Sequence, residues 1–443
     1  MIFILGIIYL LAFYLSIFKP PYFLILFGVI GSTFDAFGIG SYFATFFSAH
    51  FTFMYVLFYL SLIKSLSKYF MESSKKYFTI IITFLTFSLI MALSIFLYYL
   101  TNPLVSTSVS QIIMNIIYLT TNFSLLGVII LLTNFEKYNI KNLLIVFISI
   151  QLTIAILVIY LPNFGINILS VIDGSNYQPK QVHSSLKGAT PFNFIEVLGN
   201  KYYFNKFAQF HNSNDTGFYF GIGLFLCIDK FLVSRYSNKF YYLLPCFFMI
   251  IFWSNSGMRA PIVGIIFSLI IKFLFVRLTL KKLTTFFLTL PFVFSLFFIP
   301  TIQEIIIFSL GLSQESKISY TSRASLIDIS MDFFKKNYLL GNGGRVNELS
   351  IIGVSPHFLP LKLAVMFGVA TLIISLVCIY VIPALHIFKN MDSFYTYGLI
   401  IIIWLVSFTD NYTCIVLFNF VLASALYNEN IGERNENFNF IRL

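Results

Sequence analysis

Long stretches of this chain carry no charge at all. Ile2–Phe18, Tyr77–Leu100, Ile112–Thr133 and Leu363–Ile382 are each apolar and uncharged along their whole length. A bilayer core about 30 Å thick needs about 20 such residues in a helix. The apolar runs are continuous and do not alternate with period two, so they predict helices rather than the strands of a barrel. The same pattern places spans at 2–18, 22–40, 43–63, 77–100, 111–133, 142–160, 214–231, 240–254, 260–276, 284–300, 361–383, 394–409 and 412–427. Pro20-Pro21 and the Gly-rich stretch 28–40 are positions where the second span could break or tilt. The predicted fold is all-α, a polytopic membrane bundle of about 12–13 spans.

Polar positions divide the chain further. Residues 1–160 hold the N-terminal helices, 213–300 the central ones and 361–427 the C-terminal ones, with a tail at 428–443. Between them lie two long mixed segments, 161–212 and 301–360, too long for simple connections and not of disordered composition. The second contains a helix signal: Thr321-Ser322 can cap a helix opening at Arg323, with Leu326, Ile329 and Phe333 on one face. Such an amphipathic helix suits a membrane interface.

Composition agrees with this reading. Of 443 residues 58% are hydrophobic and only 10% charged, with mean hydropathy +0.89, whereas a soluble domain carries about 25% charged residues. The net charge of +11 does not mark a nucleic-acid binder, because the basic residues sit in short segments between spans. Segments 64–76, 136–141, 230–239, 272–282 and 386–392, with Lys19 and the tail, hold 17 of the 28 Lys and Arg. With alternating helices they share one face, which the positive-inside rule makes cytoplasmic. The two long segments are then periplasmic loops. Four cysteines (Cys227, Cys246, Cys378 and Cys414) fall in apolar runs and read as buried packing residues. The first run lacks a basic lead and a cleavage site, so it reads as a retained helix rather than a signal peptide.

The remaining 11 basic residues fall on the outer face; they include Arg259, Arg323, Arg345, Lys335 and Lys362. Long loops translocate whatever their charge, which accounts for the lysines. Arg259 stands apart in a short polar turn, 253–261, between two apolar helices. A central membrane arginine costs up to about 3 kcal/mol, less near the interface. Two roles fit it: snorkelling to headgroups, or clamping phosphate with a forked guanidinium. Arg323 is either a solvated surface residue or a second clamp at the positive end of its helix. His357, where the large loop re-enters the membrane, is structural or a proton acceptor and phosphate donor. Asn212, Asn214 and Asp215 enter the seventh span, and Asp410 separates the last two; these groups can cap helices, bind sugar hydroxyls or act as a base. Gly341-Asn342-Gly343-Gly344 lacks the strand and Lys-Ser/Thr context of a phosphate loop.

From His211 to Tyr427 the order of these features resembles the O-antigen polymerase and O-antigen ligase superfamily of bacterial inner membranes. The features are Asn214 at a helix entry, the Ser256-Gly257-x-Arg259-Ala260 turn, and a large loop. That loop opens with Ser322-Arg323, passes Gly341-x-Gly343 and ends at His357 before an apolar re-entry containing Gly368. The resemblance implies a glycosyltransferase using undecaprenyl-diphosphate-linked oligosaccharides as donor and acceptor at the periplasmic face. It assigns the diphosphate to Arg259 and Arg323 and an activating role to His357, with Asp215 as another possible base. Asn212, Asn214, Asp410 and Arg345 are candidate glycan contacts. Cations fixed on the leaving diphosphate make a metal or other cofactor unnecessary, and neither outer loop contains an Asp-x-Asp pattern. A chain-length regulator is an expected protein partner. His211-Asn212-Ser213 stands where relatives often have arginine, and Phe358 follows His357 where ligases commonly have Asn. The second departure favours a polymerase over a ligase. A lipid-linked oligosaccharide flippase should instead show two related halves and short loops, and no internal repeat is evident.

The topology has a direct test. Cysteines introduced as Lys187→Cys and Gln314→Cys should react with an impermeant thiol reagent from the periplasm, and Lys75→Cys only after permeabilisation. The reverse pattern would invert the bundle.

Overall fold

The computed structural model describes residues 2–36, 46–71, 78–102, 109–133, 140–160, 213–233, 241–254, 258, 260–275, 326–344, 358–389, 393–409 and 415–426. Among these residues every regular element is helical. The elements are α1 (Ile2–Phe18), α2 (Pro20–Ala36), α3 (Phe46–Met71), α4 (Phe78–Thr101), α5 (Val109–Thr120), α6 (Leu126–Thr133) and α7 (Ile140–Tyr160), followed by α8 (Ser213–Val233), α9 (Leu243–Ser254) and α10 (Ala260–Phe275). A helix at 326–336 is α11. Then come α12 (Leu359–Phe367), α13 (Val369–Leu376), α14 (Ile382–Lys389), α15 (Phe394–Thr409) and α16 (Ile415–Ala425). Three helical stretches, Phe78–Thr101, Ile112–Leu132 and Val369–Phe388, are long and apolar enough to cross a membrane. Helix exteriors carry Leu10, Leu100, Leu244 and Phe388 fully in the open. An apolar exterior of this kind fits hydrocarbon.

Several boundaries differ from the sequence reading. Pro20 and Pro21 start α2 rather than break it, because a missing N–H and a fixed φ suit the first turn of a helix. α3 runs on to Met71, so Lys64 and Lys68 lie on a helix and not in a loop, and α14 likewise carries His386. Cys378 is buried as expected, but Cys227 and Cys246 are only half-buried; all three are free thiols. The expected span 284–300, the loop 161–212, Cys414 and the tail lie outside the described residues.

α7, α8, α10 and α15 pack along their lengths in antiparallel pairs, held close by small residues. A Cβ on Gly264 would come within 3.0 Å of the Ile402 backbone, and one on Gly398 within 2.4 Å of Phe225. Small residues of this kind let apolar helices approach where no water is present to drive association. Phe147 of α7 stacks on Phe420 of α16 with centroids 4.8 Å apart, and Gly28 of α2 packs against both rings.

Among the described residues two π turns interrupt otherwise regular helices. Thr121–Leu125 joins α5 to α6, and Val377–Val381 joins α13 to α14. A π turn shifts the backbone register by one residue, so a carbonyl must find its donor elsewhere. Asn122 O accepts from the Asn419 side-chain amide of α16. Ile379 O accepts from the Trp404 indole N–H of α15 at 2.8 Å. The first π turn also gathers buried polar groups: Asn122 Nδ2 donates to the Tyr55 hydroxyl at 2.9 Å, and Ser88 and Ser124 share a hydrogen bond.

The sharpest departure is in the predicted span 361–383. Its helix breaks at Gly368, where φ is +87°, a conformation glycine tolerates and other residues rarely adopt. The glycine turn 341–344 is buried against this break. Asn342 N–H donates to Val365 O and Gly344 N–H to Met366 O, both at 3.0 Å, while Val369 N–H donates to Tyr338 O at 2.7 Å.

Asn419→Leu removes the outside donor from a buried carbonyl. It should destabilise the protein by about 1–3 kcal/mol, read as a lower unfolding temperature in detergent. Asn142→Leu, at an exposed position, should leave that temperature unchanged.

Candidate functional site

The four-helix ladder has two chemically distinct ends. At one, Lys141 of α7 lies 2.9 Å from Asp229 Oδ2 of α8, with side chains 11% and 3% exposed. The same ammonium sits 4.3 Å from the Tyr395 ring centroid of α15. Lys272, in the last turn of α10, sits 4.6 Å over Phe394. Each cation is thus held by a carboxylate or an aromatic face in a low-dielectric setting, where such contacts are strongest. Asp229 went unremarked in the sequence reading. The available signal was a lone carboxylate inside an apolar run, which marks a partnered position in a membrane helix.

The opposite end gathers the start of α8, the link between α9 and α10, the start of α12 and the end of α15. Gly221 of α8 packs closely against Trp253 of α9 and Pro261 of α10. The Trp253 indole donates to Met258 O at 2.6 Å. Met258 and Ala260, the described residues on either side of Arg259 in the chain, are both packed inside. Phe358, which precedes α12, stacks on Phe408 of α15 with centroids 5.2 Å apart and rings 4° from parallel.

Asn214 and Asp215 occupy the first turn of α8 at this end. Arg259, Arg323, Arg345, His357, Asn212 and Asp410 lie outside the described residues. Their described neighbours in the chain are Met258 and Ala260, Gly344, Phe358, Ser213 and Thr409. Lys362, expected at the outer end of the span 361–383, is 8% exposed on α12.

α11 begins within the described residues at 326. Leu326 and Phe333 are half-buried, but Ile329, expected on the same face, is 49% exposed and Ser330 is the buried residue between them. The reason is register: Ser330 is i+4 from Leu326, and its hydroxyl donates back to Leu326 O at 2.5 Å, so a polar side chain can occupy the inner face. Ile327, Met331, Tyr338 and Leu339 join Ile329 on the outer surface. Lys335 pairs only with its neighbour Asp332 at 3.2 Å, both exposed, a contact of small net value.

An apolar cavity of about 270 Å³ lies between α3 and α5, lined by Tyr55, Tyr59, Leu60, Met114 and Ile117 among others. Among the described residues no three His, Cys, Asp or Glu side chains come together as a metal site. No protein-family model matches the chain, and no curated protein matches it.

The ion pair makes a prediction. Lys141→Met or Asp229→Leu alone leaves one buried charge without its ion-pair partner and should destabilise by about 3–5 kcal/mol, whereas replacing both with apolar residues should recover most of the loss. Unfolding temperatures of the two single variants and of Lys141→Met/Asp229→Leu in detergent check the cycle.

Proposed function

We propose that this chain is an O-antigen polymerase, a membrane glycosyltransferase that joins undecaprenyl-diphosphate-linked oligosaccharide units at the periplasmic face of a bacterial inner membrane. One observation carries the reading beyond sequence order. The described neighbours of Arg259, His357 and Asp410, and the helix turn holding Asn214 and Asp215, converge on the end of the ladder opposite Lys141–Asp229. In this reading the Lys141–Asp229 end is cytoplasmic, as its share of basic residues requires.

The reaction forms a bond from an acceptor hydroxyl oxygen to the anomeric carbon of the donor and breaks the bond from that carbon to the diphosphate. The hydroxyl proton passes to His357 or Asp215. The leaving diphosphate gains negative charge, which Arg259 and Arg323 stabilise as fixed cations. Asn212, Asn214, Arg345 and Asp410 contact the glycan. The apolar cavity between α3 and α5 supports the reading in a second way, as a hydrocarbon-lined recess on a chain whose substrates carry lipid tails.

The broken helix at Gly368 gives a transporter reading some support, since discontinuous helices mark substrate sites in transporters. Here the gap is filled by the chain's own glycine turn, which favours the enzyme.

An O-polysaccharide gel of a deletion strain separates the readings. Loss of a polymerase leaves single repeat units on the lipid A–core, whereas loss of a ligase or a flippase leaves none. Complementation with Arg259→Lys keeps the charge but not the fork; it should lower polymer synthesis about 100- to 1000-fold, and His357→Ala should abolish long chains. Lys335→Ala should behave as wild type. Normal polymer from both Arg259→Lys and His357→Ala would remove the proposed site.

A further inference from the structure

The glycine turn 341–344 is the one motif in the sequence to which the proposed chemistry gives no task. It is wholly buried, and it reaches Met366 and Phe367, about 12 Å along α12 from Leu359 at 1.5 Å per residue. Its neighbours come from three helices. A Cβ on Gly343 would meet the Tyr98 ring of α4 at 2.2 Å, one on Gly344 would meet Leu119 of α5 at 2.7 Å, and one on Gly341 would meet the α12 backbone at 2.5 Å. A Cβ on Gly368 would lie 1.9 Å from Leu339 O. These contacts leave no room for a side chain on either partner, and the φ values of +62° to +87° at the four glycines exclude most other residues.

We propose that this interlock is a positioning element, which makes α11, the turn and α12–α13 one rigid body throughout turnover. The reason is the backbone. Separating the two segments would strip the buried Val365 O and Met366 O of their donors within apolar surroundings, and such surroundings offer no water to replace them. The large outer segment is therefore anchored in the bundle at 337–344 and again at Phe358 against Phe408. The activity readout below rests on the polymerase reading; the structural readout does not.

The test is a cross-link across the interlock in otherwise full-length protein. Cys227, Cys246, Cys378 and Cys414 are replaced by Ala, and Tyr338→Cys and Val369→Cys are introduced. The Val369 N–H bond to Tyr338 O, at 2.7 Å, holds the two backbones side by side, and a disulfide joins Cα atoms about 4.4–6.8 Å apart. Cross-link yield is read as fragments that stay joined after protease cleavage between the two sites. Polymer synthesis is read on purified protein in liposomes with lipid-linked repeat units, with and without reductant. The rigid body predicts near-complete cross-linking and polymer yield within twofold of the reduced protein. Failure to cross-link overturns the proposal. So does a cross-linked protein that is inactive until reduced, because the segments must then part during turnover. Gly368→Ala should lower cross-link yield several-fold and polymer yield at least tenfold; wild-type values for both would also overturn it. A deletion strain that still makes long polymer overturns the polymerase reading alone, since cross-link yield is measured without activity.

Discussion

A backbone surrounded by hydrocarbon must satisfy its own N–H and C=O groups, and this fold is organised around that requirement. Regular helices meet it within a single segment. Among the described residues three places do not, and each is repaired by a donor from a distant part of the chain. The π turn at Thr121–Leu125 borrows the Asn419 amide, and the one at Val377–Val381 borrows the Trp404 indole. The break at Gly368 borrows two N–H groups from a glycine turn and returns one. These repairs join helices far apart in sequence, so irregular backbone here acts as a fastening between elements.

The same medium decides where charge can go. Lys141 and Asp229 neutralise each other, and aromatic faces cover Lys141 and Lys272. In water these contacts would be weak; without it they are strong, and an unpartnered charge would be intolerable. They gather at one end of the ladder, which leaves the other end for the turn at Trp253–Met258, the entry to α8 and the stacked pair Phe358–Phe408.

Much of this architecture was readable in the residues themselves. Uncharged runs located α1, α4, α5–α6 and α15 closely, because a membrane helix needs length and apolarity and little else. The positive-inside bias set Lys141, Lys230 and Lys272 at a common end, and the packing does bring the start of α7 together with the ends of α8 and α10.

What periodicity could not supply was every feature that depends on a partner. Gly368 and Gly341–Gly344 looked like unrelated glycines because their roles exist only when the two segments meet. Asn122 and Asn419 sit 297 positions apart, and nothing local to either announces the other. Ser330 replaced Ile329 on the inner face of α11 because its hydroxyl could return to its own helix. The sequence by itself determined an all-helical, apolar chain, since hydropathy is a property of single segments. Only the tertiary structure decided where helices break and which donors repair them, since a hydrogen bond across the bundle belongs to two segments at once.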